Sequence, residues 1–240
     1  MARKPTFTKA NQMAKAESAA APSPAIAGRG VESGHSLAEW AERNRKLLMI
    51  IGGVLIVAAL GAWLLTTTAR RKEAFAGQQL SQARAIAETG DLPRAAAEFQ
   101  RISESFRGTD AGQFAVIGLN QVRMISGQTE LAVIGLREFL ATGPEPRFSA
   151  SAQALLGAAL ENTGKPQEAA AAYQAASDAA DTPYLKADFL LQVGRAWGTA
   201  GDTAKSMAAY QQILDEFGEM PAVTEAKVRL AELAAAGTGA

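Results

Sequence analysis

TGKPQEAAAAY, residues 163–173, decides how this chain is read, because it recurs. TGDLPRAAAEF stands at 89–99, SGQTELAVIGL at 126–136 and AGDTAKSMAAY at 200–210. The glycines of the four copies, Gly90, Gly127, Gly164 and Gly201, are 37 residues apart three times over. Five residues after each comes a small side chain: Ala95, Ala132, Ala169, Ser206. Nine after it comes a large apolar or aromatic one: Phe99, Leu136, Tyr173, Tyr210. Seven before it stand Ala83, Asn120, Gly157 and Gly194, three of the four small. Glycine takes the left-handed conformation that ends a helix. Asp91 and Asp202 suit the cap of the next helix, and Pro166 fits its first turn. Each unit therefore predicts two antiparallel helices that approach where small residues meet, with the ninth-position side chain filling the space between repeats. Pro144, Pro146, Pro183 and Pro221 fall between units, where one hairpin ends and another starts. One hairpin cannot bury its apolar face alone, so the units are expected to stack into a solenoid.

The small–Gly–small–aromatic order resembles tetratricopeptide repeats at that family's usual offsets. The period here is 37 rather than about 34, so helices or links are longer by nearly a turn. The expected fold is all-α: a single N-terminal transmembrane helix, then an α-solenoid of about four tetratricopeptide-like hairpins with a C-terminal capping helix. The first repeat's leading helix, about residues 73–89, is polar and can continue from the segment before it. Ala222–Ala235 carries Val223, Ala226, Leu230 and Leu233 along one stripe and reads as the capping helix. Gly237–Ala240 is expected to fray.

Upstream of the repeats lies LLMIIGGVLIVAALGAWLL, residues 47–65, without a charge. As a helix it is about 28 Å long, close to the roughly 30 Å hydrocarbon core of a bilayer. Arg43, Arg45 and Lys46 precede it, and Arg70, Arg71 and Lys72 follow it. A signal peptide begins nearer the N-terminus and has a shorter apolar run, so this stretch reads as a permanent anchor. Trp40 and Trp63 fall at interface depth, one at each end. Ser36-Leu37-Ala38-Glu39 has the form of a capping box, so the helix is expected to begin near Leu37 and run past Thr68. Gly53, Gly61, Ala58 and Ala62 give it small-residue faces on which another helix can approach. The expected domains are a disordered basic tail at 1–35, the membrane helix at 36–70, the repeats at 71–236 and a frayed end at 237–240. The nearest cations tie across the helix. Arg29, Lys4, Lys9 and Lys15 tip the orientation toward tail inside and repeat domain outside.

Zero formal charge hides an asymmetry. Residues 1–46 hold eight Lys/Arg against four Asp/Glu, whereas residues 70–240 hold sixteen against twenty. An acidic domain argues against nucleic-acid binding, which needs a basic face. Residues 15–34, rich in Ala, Pro, Ser and Gly, cannot bury enough surface to offset the entropy of ordering. The basic start, MARKPTFTK, either touches anionic headgroups or is simply solvated. There is no Cys, and His35, the single histidine, lies in the tail. Thiol and imidazole catalysis, disulfides and histidine metal sites therefore have no residues to use in the repeats. No phosphate-binding glycine loop is present. Asp215, Glu216 and Glu219 form a small acidic group; it could bind a hard cation, but reads rather as a solvated helix end. The chain is thus expected to be no enzyme and to need no cofactor or metal.

A solenoid offers a concave groove to a partner. Six residues before each repeat glycine, at the offset that faces such a groove, stand Arg84, Gln121, Ala158 and Arg195. Arg84, Gln121 and Arg195 are the candidate partner-binding residues, with solvated helix positions as the alternative. The Lys/Asn set by which some tetratricopeptide domains clamp a terminal carboxylate is missing. The whole layout, AEWAERNRKLLMIIGGVLIVAALGAW at 38–63 followed by GQQLSQARAIAETGD at 77–91, resembles the YfgM-like membrane-anchored tetratricopeptide proteins of Gram-negative bacteria. That resemblance implies an inner-membrane protein, tail cytoplasmic and repeats periplasmic. It implies association with the SecYEG translocon and a membrane-anchored prolyl-isomerase chaperone, in the handling of secretory proteins. The tail before the anchor is longer than that family leads one to expect. A structural scaffold for another envelope complex, in cell division or outer-membrane assembly, is the alternative function.

Overall fold

From Gly90 onward helix follows helix because glycine and proline breakers separate stretches of good helix formers. The computed structural model describes residues 40–218 and 220–238. The expected tail, His35 and the capping box at Ser36–Glu39 lie outside the described residues, as do Glu219, Gly239 and Ala240. The chain divides into two units at Leu60/Gly61. The first is described from Trp40 onward, helical except for a turn at Asn44.

Helix α1 runs Arg45–Glu88 without a break, across the boundary expected between residues 70 and 71. Then come α2 (Leu92–Ser105), α3 (Asp110–Ile125), α4 (Thr129–Ala141), α5 (Pro146–Asn162), α6 (Pro166–Ala179), α7 (Pro183–Thr199), α8 (Thr203–Glu216) and α9 (Pro221–Thr238). No strand occurs among the described residues. The end of α1 pairs with α2, α3 with α4, α5 with α6 and α7 with α8, and α9 closes the stack. α9 extends to Thr238, two residues into the stretch expected to fray.

The punctuation works as the sequence predicts. Gly90, Gly127, Gly164 and Gly201 have φ of 84°, 76°, 73° and 80°, a region that costs other residues a steric penalty. Asp91 accepts the amide of Arg94 and Asp202 that of Lys205, capping α2 and α8. Prolines occupy the first turn of α2, α5, α6 and α7, where no amide partner is lost.

Two apolar clusters hold the repeats together. One joins Ala76, Leu80 and Ala83 of α1 to Phe99, Ile102 and Leu119. The other runs from Val133 through Phe148, Tyr173 and Tyr210 to Ala226. Phe114 packs against both, and its ring meets Phe148 edge-on, centroids 4.9 Å apart. Two of the ninth-position rings, Tyr173 and Tyr210, lie on Gly157 and Gly194 of their own hairpins. A Cβ on either glycine would fall 2.7 Å and 2.5 Å from the ring. The Phe99 ring also lies against Gly118 of the next repeat. In the second hairpin the bulk is exchanged: Asn120 replaces the small residue, and Gly135 on α4 gives it room, with only 2.5 Å from Asn120 Oδ1 to a would-be Cβ.

Candidate functional site

α3 packs on α5 and α7 on α9, besides their hairpin partners, so the first helices of the hairpins form the inner face. Between the end of α1 and α3 this face opens into a cleft of about 350 Å³. Phe99, Phe114 and Ile117 supply its apolar lining, and Arg84, Glu88 and Gln121 its polar rim. The Arg84 guanidinium stands over the Phe114 ring, 5.6 Å from the centroid, an arrangement that steadies the cation without taking up its hydrogen-bond donors. Ile125, at the edge of the cleft, is 64% exposed. An apolar floor with polar groups on its rim is the chemistry of a surface that can receive an apolar side chain.

Of the three residues read from the sequence, the structure brings two together. Arg84 and Gln121 share the cleft. Arg195 does not line it: its Nη2 donates to Glu161 Oε2 at 2.9 Å. The same carboxylate oxygen accepts the Tyr173 hydroxyl at 2.8 Å. This group ties α5, α6 and α7 together. Burial, then the hydrogen bond to Glu161, pushes the Tyr173 phenol well above its ordinary range. Ala158, fourth at that offset, is half-buried.

Sequence reasoning missed Phe114, the floor of the cleft, because nothing in its spacing sets it apart from a core residue. It also missed Glu73. That carboxylate, on α1, accepts the amides of Asp110 and Ala111 at 3.0 and 2.9 Å. A signal existed: Glu73, Asp110 and Arg147 all stand seventeen residues before a repeat glycine. Arg147 in turn donates to Asp110 Oδ2 at 2.6 Å, so charged residues of one offset form a ladder across three repeats.

Among the described residues no group of three possible ligands is placed to hold a metal ion. Asp215 and Glu216 accept from Gln211 and Gln212 one turn earlier. On the far side of α3 a larger hollow, about 650 Å³, opens between α2 and α4.

The sequence profile of the tetratricopeptide repeat-like domain family matches residues 68–193. No curated protein matches the chain by sequence. Solved structures of similar fold include a Podosopora anserina putative kinesin light chain with nearly identical TPR-like repeats. It is 17% identical with a TM-score of 0.54, over 68% of this chain and 86% of that one. A tetratricopeptide repeat protein from Parabacteroides merdae gives 11% and 0.53, over 67% and 60%. PilW, a type IV pilus biogenesis factor, gives 16% and 0.51, over 62% and 66%. At these identities the likeness is one of fold.

Proposed function

This chain belongs to the tetratricopeptide repeat-like domain family, and on that premise we propose that it is a membrane-anchored protein-interaction module. The observation that carries the reading is the inner cleft, an apolar hollow with Arg84 and Gln121 on its rim. Folds of this family typically serve as non-catalytic scaffolds for protein partners.

The anchor is α1, the one helix among the described residues long and apolar enough to cross a membrane. Thirteen large apolar side chains between Leu47 and Leu65 are exposed. Left in water, they would forgo on the order of 20 kcal/mol of burial free energy, more than the roughly 5–15 kcal/mol that stabilises an ordinary domain. A bilayer supplies that burial. Thr66, Thr67 and Thr68, just past the apolar run, turn their hydroxyls back to carbonyls of Trp63 and Leu64. That satisfies them at the edge of an apolar solvent.

Together with the resemblance in layout, this supports a finer assignment: an ancillary subunit of the SecYEG translocon. Its tail is then cytoplasmic and its repeats periplasmic, acting beside a membrane-anchored prolyl-isomerase chaperone on emerging secretory chains. The test is photocrosslinking of the full-length protein in native membranes, with reactive residues at Arg84, Gln121 and Arg195. Capture of translocon subunits, the chaperone or nascent secretory chains from positions 84 and 121 is expected. Capture of one unrelated envelope protein would leave a scaffold instead, and capture of cytoplasmic proteins alone would also reverse the orientation.

A further inference from the structure

We propose that the hollow on the outer side of α3, between α2 and α4, is a second binding site, and that it takes a basic side chain, Arg or Lys, of an extended partner polypeptide. At about 650 Å³ it is nearly twice the size of the inner cleft, room for a basic residue and an apolar neighbour. Val116 and Phe139 line it, with the bare backbone of Gly112 and Gly135. Neither glycine position can grow a side chain to fill it. A Cβ on Gly112 would strike the Phe106 carbonyl, and one on Gly135 would strike Asn120. No side chain therefore enters the hollow from either position.

The rim is anionic. Glu104 at the end of α2, Glu138 on α4 and Glu145 in the loop before α5 line the hollow, against one cation, Arg107. Glu104 is held by Gln100 and Glu145 by Arg147. The Glu138 side chain makes no hydrogen bond or ion pair, so a carboxylate is left to receive a charge from outside. The charge selects a cation. The apolar lining selects a cation on a hydrocarbon stem, which describes Arg and Lys side chains. Arg adds a planar fork that bridges carboxylates. Arg107, also without an ion pair, can donate to a backbone carbonyl of the same segment. An acidic segment would meet like charge on three sides.

This site shares no lining residue with the inner cleft and faces the other way, so it stands or falls separately from it. The test uses the full-length chain in phosphatidylcholine nanodiscs and a fluorescein-labelled peptide, GSLRLKSG, read by anisotropy against empty nanodiscs. Binding that weakens with salt is expected. Glu138→Gln should weaken it about three- to fivefold, and the triple change of Glu104, Glu138 and Glu145 to Gln more than about tenfold. These positions are exposed or rim residues, and circular dichroism will verify that the variants fold. Gln113→Arg, placing a tethered guanidinium in the hollow, should exclude the peptide. A photoreactive residue at Gln113 should capture it and one at Gln121 should not, and GSLELDSG should not bind. Absence of binding, equal binding by the triple variant, or capture from 121 in place of 113 would overturn the proposal.

Discussion

Glu73 binds the head of α3: its two carboxylate oxygens accept the amides of Asp110 and Ala111, one repeat further along the chain. The first helical amides of α3 have no partner within their own helix, and the helix dipole favours a negative charge there. Glu73 follows directly on Arg70–Lys72, so the first point at which α1 is fixed to the solenoid lies just beyond its basic flank. Thr109 caps the same helix from within, accepting the amide of Gly112.

Replacing Glu73 by Ala should therefore destabilise the repeat domain by about 1–2 kcal/mol, and Glu73→Gln by less, because one acceptor survives. Chemical denaturation measures the loss. Hydrogen exchange should place it at the amides of Asp110 and Ala111, leaving α7 and α8 protected.

The tyrosines of the third and fourth hairpins demand bare backbone opposite. Gly194→Ala puts a methyl 2.5 Å from the Tyr210 ring and should cost about 1–3 kcal/mol by overpacking. Adding Tyr210→Leu, the residue type that Leu136 supplies in the second hairpin, should restore part of the loss. A double-mutant cycle on unfolding midpoints gives the coupling, and strict additivity would contradict the packing described.

Tyr173 gives a pH dependence of definite sign. Its neutral phenol is favoured in the folded protein, by burial first and Glu161 second, whereas an unfolded phenol ionises near 10.0. The contribution is complete below that pH and is lost as pH rises above it. Tyr173→Phe should cost about 1 kcal/mol at neutral pH through the lost hydrogen bond. It should also flatten the fall in stability above pH 10 relative to the parent, with Tyr210, likewise raised mainly by burial, accounting for part of the remaining slope.

For the proposed anchor, Leu55→Arg with Val57→Arg would place two cations at mid-span, each costing about 2.5–3.5 kcal/mol on insertion. The double variant should shift from the alkaline-resistant membrane fraction to the soluble or aggregated fractions. Unchanged membrane retention would remove α1 as the anchor.

The sequence by itself determined the hairpins, their number and their ends. Glycine at φ near +80°, an aspartate three residues before the amide it caps, and proline in a first turn act within a few residues. It also determined the apolar helix, whose length and lack of charge are properties of one segment. Only the tertiary structure decided what each repeated position meets. Arg84 and Arg195 hold the same offset, yet one stands over Phe114 at a cleft and the other is tied to Glu161. An offset fixes the face of a helix from which a side chain leaves, but the neighbour it finds there comes from another helix thirty or more residues away. Tyr173 and Tyr210 likewise lie on their own hairpins' glycines because a helix pair without side chains at the crossing admits a ring there. The second hairpin, with Asn120 and Gly135 exchanged, reaches a close approach by the opposite assignment of bulk. The outer hollow belongs wholly to this level, since its carboxylates come from α2, α4 and a loop with no spacing in common.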